Sequence, residues 1–299
     1  MSKKADKIHK KKVAFLKEAL GRMDDAAIKW QSDLLELLLT EYFPLFDVKD
    51  GVILDTAHND TLINKIDTFI DKLQKALQRD ILGTFAADLL KSSSFSADYY
   101  RALGFKKTVV DNVLKKKIHI ERKLGFTPTG RLKKKGYLYR LGQAEEVRQK
   151  LKQYVIDSLL GDTDFLSFQL GFRNLVKGNK RKKGLATNGA LQKYFDQYAY
   201  DSFNMLDAST NKQFADNLGL KHFIYEGSLI ATSRPFCRKR AGKAFTVAET
   251  KTWKDDPDLI DKANKDTYKP LIERGRYRCR HFIKYVTKVV YLALTKKAA

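Results

Sequence analysis

The chain has 299 residues, and its 58 Lys and Arg against 35 Asp and Glu leave a formal net charge of +23. Hydrophobic residues at 43% and charged residues at 31% belong to a folded protein and exclude one disordered throughout. Five Pro and 17 Gly exclude a collagen-like chain, and two Cys cannot build a disulfide scaffold.

At roughly 150 residues per domain there is room for about two domains. Residues 1–12 read as a basic arm, with Lys3, Lys4, Lys7, Lys10, Lys11 and Lys12, either solvated or touching DNA. The following VAFLKEALGRMDD has neither an uninterrupted apolar core nor a small-residue cleavage site, so no signal peptide is expected. Residues 13–46 read as helix ended by Pro44, and 47–59 as a loop or short extended piece around Gly51. The longest apolar stretch, near Leu34–Leu39, is broken by Glu36 and too short to span a bilayer, so no membrane partner is expected.

Residues 61–90 form the clearest amphipathic pattern, with Leu62, Ile63, Ile66, Phe69, Ile70, Leu73 and Leu77 at steps of three and four. SSSFS at 92–96 reads as a turn with capping serines, and 97–124 as another helix. A basic loop, helices over 144–160 and 164–176, the basic loop 177–184 and a long aromatic helix over 191–218 follow. Gly219 caps that helix. Beyond it, 221–226 reads as a strand, Thr246 with Glu249 as a capping box opening a short helix, and 281–295 as a last helix. The expected fold is mainly α: a basic arm (1–12), helical domain(s) over 13–218, and a small α+β C-terminal domain over 219–299.

The charge is clustered. Residues 101–150 hold 15 Lys and Arg against 4 Asp and Glu. Three runs stand out: Lys115-Lys116-Lys117, Lys133-Lys134-Lys135 and Lys180-Arg181-Lys182-Lys183. Such runs offer point charges to phosphates and read no base edges, so they predict salt-dependent, sequence-blind contact with double-stranded DNA.

Cys237, Cys279 and His281 are candidate zinc ligands, with His222 a further partner. Their spacing lacks a C-x-x-C pair, so a packed cysteine pair is the expectation and zinc the weaker alternative. No Walker loop, metalloprotease helix, nucleophile elbow or kinase signature appears, so neither a catalytic residue nor a cofactor is expected.

The string from Gly227 to Thr246, GSLIATSRPFCRKRAGKAFT, with the later Cys279-Arg280-His281 resembles the C-terminal module of tailed-phage head morphogenesis proteins, the minor head proteins related to the F protein of phage Mu. Upstream, YFDQYAYDSFNMLD and TNKQFADNLGL are in the same style. The likeness covers about 194–285 and extends more weakly over 105–193. Relatives carry Pro and His ahead of the last Cys-Arg pair, where this chain has Arg276-Tyr277-Arg278. The resemblance implies a low-copy virion component, assembled in the host cytoplasm and placed in the capsid interior or at the portal vertex. Its partners would be portal or major capsid protein and packaged DNA. Arg234, Cys237, Gly242, Lys243, Cys279, Arg280 and His281 would define the fold, with Gly242 at positive φ and Arg234 as a clamp on carbonyls or acidic side chains. The alternative is an enzyme of the same setting, an ADP-ribosyltransferase-like protein or a metal-dependent nuclease, for which DDPD at 255–258 is the carboxylate cluster.

Overall fold

The computed structural model describes residues 3–76, 82–116, 121–122, 124–127, 129, 131–141, 143–161, 163–179, 187–277 and 279–296. In chain order it runs α1 (Lys3–Leu37), a hairpin of β1 (Val48–Lys49) and β2 (Val52–Ile53), α2 (Ala57–Ala76), α3 (Gly83–Ala102) and α4 (Lys107–Lys116). Next come α5 (Tyr137–Leu141), α6 (Glu145–Leu160), α7 (Phe165–Lys177), β3 (Gly178–Asn179), β4 (Thr187–Asn188) and α8 (Ala190–Asn217). The rest is β5 (His222–Glu226), α9 (Pro235–Arg238), β6 (Ala244–Thr246), α10 (Pro270–Glu273), β7 (Phe282–Val286) and α11 (Lys288–Thr295), with short 3-10 turns between. The fold is mainly α, with a small α+β region at the C-terminal end. No helix among the described residues is long and apolar enough to cross a membrane.

The chain divides into two compact units, and the cuts fall elsewhere than near residue 218. One unit gathers 1–18, 88–131 and 199–299; the other gathers 19–87 and 132–198. Three of the four boundaries fall inside the helices α1, α3 and α8, each of which gives residues to both units; the fourth, at 131/132, lies outside any helix. A composition shift, which marks a change of element type, does not report that.

In the first unit β6, β5 and β7 form an antiparallel sheet in that order. His222 to Glu226 pair with Val286 back to Phe282, and His222 pairs with Thr246 on the other side. The inward residues Phe223 and Tyr225 share one core with Phe236, Trp253, Ile283, Tyr285, Phe214, Tyr100 and Ala5. Tyr100 stacks on Phe214 with centroids 4.9 Å apart.

Residues 3–12 belong to α1, which corrects the reading of a basic arm. Ala5 and Lys12 are buried, and Lys12 ion-pairs with the buried Asp207 while donating to Ser96 Oγ at 3.1 Å. Lysine density masked an inward face carrying Ala5, Ile8 and His9. The serines at 92–96 lie within α3 and form no turn. Ser92 Oγ donates back to Leu89 O, and Ser92, Ser93 and Ser96 are buried because small side chains let that face pack closely. The stretch 97–124 breaks at Gly104, where φ is 95°, before α4 begins. Residues 282–286 are a strand where a helix was expected. FIKYV is a run too short for periodicity to choose, and pairing along the whole of β5 decides it.

The second unit is built on aromatics. Phe43 packs against Phe168 and Phe172 at 4.8 and 5.0 Å, and Tyr42 donates to Leu62 O at 2.7 Å. Pro44 cannot donate a backbone N–H, and the helix ahead of it widens into a π turn at Leu38–Tyr42. Asp50 and Gly51, both at positive φ, close the β1–β2 hairpin. Buried Asn59 braces that hairpin, its amide donating to Asp47 O and Leu54 O.

Candidate functional site

The residues that carry the resemblance meet at one end of the β6-β5-β7 sheet. Arg234 precedes α9, and its guanidinium donates to Gly275 O at 2.8 Å and Tyr277 O at 2.6 Å. One side chain thus ties two segments about forty positions apart. Arg238 gathers the loop before it, donating to Ser233 O, Ile230 O and Ala231 O. Gly242 takes φ 78° and donates its N–H to Tyr225 O, while Tyr225 N returns a bond to Lys243 O. Lys243 serves this turn through its backbone, and its side chain is exposed. Thr246 and Glu249 form a reciprocal capping box, with Glu249 Oε2 accepting from Thr246 Oγ1 at 2.7 Å and Glu249 N donating to Thr246 Oγ1 at 3.2 Å.

Beneath the Arg234 clamp, Cys237 from α9 faces Cys279, with sulfurs 3.8 Å apart. His281 Nδ1 lies 3.8 Å from Cys279 Sγ. The Tyr225 hydroxyl stands 3.4 Å from both sulfurs, and its ring stacks on His281 with centroids 5.0 Å apart. Cys237, Cys279 and His281 are each no more than 3% exposed. Two glycines border the group, where a side chain would crowd it. A Cβ on Gly275 would lie 2.5 Å from Cys237 Sγ, and one on Gly227 would lie 2.8 Å from His281 Cδ2. His222, the further zinc partner considered, is elsewhere on the sheet, with its ring against Tyr291 at 4.5 Å.

The thiols share a proton unequally. Cys237 donates to Cys279, which raises its own pKa, and burial adds to the effect. Cys279 is drawn well below the usual thiol range, first by that donated bond and then by His281 and the positive charge of Arg274, against burial. Burial holds the Tyr225 hydroxyl protonated. Both thiols and the imidazole are buried in the core of the first unit.

Arg240 occupies the neighbouring part of the core. Its guanidinium lies over Phe236 at 3.7 Å and Trp253 at 4.6 Å, and donates to Asp256 Oδ2 at 2.6 Å. Of the remaining DDPD carboxylates, Asp258 pairs with Lys239, and Asp255 lies 3.9 Å from Lys265 in an exposed pair. Arg280 is exposed beside the buried pair.

Lys115 is exposed on α4 in the first unit; Lys116 lies in the same helix. Lys133, Lys134 and Lys135 are exposed on a turn of the second unit, Lys135 at φ 62°. Lys117 and the run Lys180, Arg181, Lys182 and Lys183 lie outside the described residues.

Tyr225, Gly275, Gly227 and Arg240 escaped the sequence reading. The alternation of HFIYE was enough to point Tyr225 inward with Phe223. Gly275 had no such signal, because its role depends on a cysteine 38 positions away. No protein-family model, curated protein or solved structure matches the chain.

Proposed function

We propose that this chain is a non-enzymatic structural and assembly protein of a tailed-phage virion, a minor head protein that acts near the portal and meets packaged DNA through basic surface. The observation that carries the reading is that, of the residues behind the resemblance, Cys237, Cys279 and His281 meet in one buried group and Arg234 clamps the chain beside it, while Gly242 makes the exposed turn into β6. The exposed lysines at 115 and 133–135 supply the charge that concentrated phosphate would meet. The enzyme alternative draws no support from the same region. Glu249 is held by Thr246, and the DDPD carboxylates are held in ion pairs.

The test titrates the purified full chain with two unrelated DNA duplexes over a series of salt concentrations, beside co-purification with phage portal and capsid proteins. Equal affinity for both duplexes and a steep linear fall of log K with log salt are expected, with retention on portal or capsid. Replacing Lys133, Lys134 and Lys135 by Ala reduces the salt slope by up to about 3 if all three meet phosphates. Absence of binding at low salt removes DNA from the reading. Loss of co-purification as well removes the head role.

A further inference from the structure

The structure assigns Cys237, Cys279 and His281, with the Tyr225 hydroxyl beside them, as a buried structural site for a thiophilic divalent cation, zinc in the first place. Three donor atoms of these ligands lie within 4.8 Å of one another, and among the described residues no other such group of His, Cys, Asp and Glu occurs. The measured sulfur–sulfur, sulfur–nitrogen and sulfur–oxygen spacings are close to tetrahedral edges. Zinc–sulfur bonds of about 2.3 Å put two ligand sulfurs about 3.8 Å apart, and here they are 3.8 Å apart. A zinc–nitrogen bond of about 2.1 Å puts sulfur and nitrogen about 3.6 Å apart, against 3.8 Å for Cys279 Sγ and His281 Nδ1. An oxygen ligand at about 2.0 Å would stand about 3.5 Å from each sulfur. The Tyr225 hydroxyl stands at 3.4 Å from each, close to that spacing.

Donor chemistry narrows the ion. Two sulfurs and an imidazole suit zinc, whereas magnesium and calcium take oxygen ligands, and no carboxylate belongs to the group. The walls leave no open position for substrate, so the site is structural. It would cross-link α9 to the segment before β7, the two segments the Arg234 clamp also joins. Gly275 is without a side chain where the cation and both sulfurs need room.

The experiment uses the full chain, purified under reductant and without chelator. Elemental analysis is expected to find one zinc per chain. Cobalt(II) added to chelator-stripped protein is expected to give a tetrahedral ligand-field spectrum and a thiolate-to-cobalt charge-transfer band, saturating at one equivalent. Cys279→Ser is expected to weaken cobalt affinity by roughly a hundredfold or more. His281→Cys, with three thiolates, is expected to keep stoichiometric binding with a stronger charge-transfer band. If Cys279→Ser does not fold, the wild-type spectrum and the His281→Cys band decide the matter. Substoichiometric zinc, no charge-transfer band, and alkylation of both thiols at the same rate with and without zinc would overturn the assignment. So would a Cys237–Cys279 disulfide in the protein as isolated under reductant.

Discussion

Gly275 shows how much a single residue without a side chain can decide. Its Cβ position lies 2.5 Å from Cys237 Sγ and 3.3 Å from Cys279 Sγ, so any larger residue must push the sulfurs apart or move the strand of chain that Arg234 holds. Gly275→Ala is therefore expected to destabilise the protein by ~1–3 kcal/mol, the range for overpacking a filled core. Urea unfolding followed by tryptophan fluorescence measures this, because Trp253 lies in the same core. An unchanged midpoint would mean that the cysteine pair yields easily. Side chains with strong chemical character were legible at this scale: Arg234, Cys237, Cys279, His281 and the Thr246–Glu249 box could all be picked out of the string. Residues whose work is shape were not, since what Gly275 and Gly227 exclude depends on chain that arrives from far away. The lysine runs were legible as charge but not as surface, because Lys12 looks like its neighbours in sequence and is buried.

At the scale of elements, α1 has its decisive contact where its sequence looks most solvated. Lys12 and Asp207 are an ion pair with both side chains almost fully enclosed, and Asn211 also donates to Asp207, at 3.0 Å. Lys12→Met leaves a carboxylate buried without its cation, with an expected loss of ~3–5 kcal/mol. Lys12→Met combined with Asp207→Leu should recover more than half of that loss, since a buried pair replaced by apolar groups of similar size is often close to neutral. Thermal unfolding of both variants checks the pair, and a double variant no better than the single one would refute this account. Elements with long, regular patterns were readable: α6, α7 and α8 fall close to their expected bounds, and Gly219 at φ 67° ends α8 with Leu220 N bonded to Ala215 O, whereas the helix expected over 61–90 is α2, ending its described run at Ala76, and the start of α3 at Gly83. β6 and β7 were not readable. Each is a short apolar run that becomes a strand only because β5 lies beside it. The serines of α3 misled for the opposite reason: residues suited to turns are also small enough for a tight helical face.

At the scale of the molecule, acid is the condition that separates the ion pairs from the apolar core. Burial would raise the Asp256 carboxyl, but the backbone N–H of Asp258 and the guanidinium of Arg240 hold it below its ordinary 3.8, with Lys239 adding positive charge. Asp6 is held below the same value, chiefly by the Lys284 hydrogen bond and in addition by Lys10, against partial burial. Both carboxyls ionise more readily folded than unfolded. Their stabilisation is therefore complete above 3.8 and is lost as pH falls through their lower folded values. The urea midpoint should be flat from pH 8 to roughly 5 and fall steeply below roughly 4. Asp256→Asn should lower the neutral-pH midpoint and soften the acid fall, and an equally steep fall in that variant would exclude Asp256 as a source. The same unit has a consequence for the order of events on the ribosome. Ala5 and Ile8 share a core with Phe223 and Tyr285, which are translated more than two hundred residues later. At 5–20 residues per second the last partners of that core emerge about ten seconds to a minute after the first turns of α1, with Tyr99 and Tyr100 arriving between. Until then the inward face of α1 is only partly covered, and the second unit, whose last residue is Tyr198, has all its sequence in hand before the first unit does.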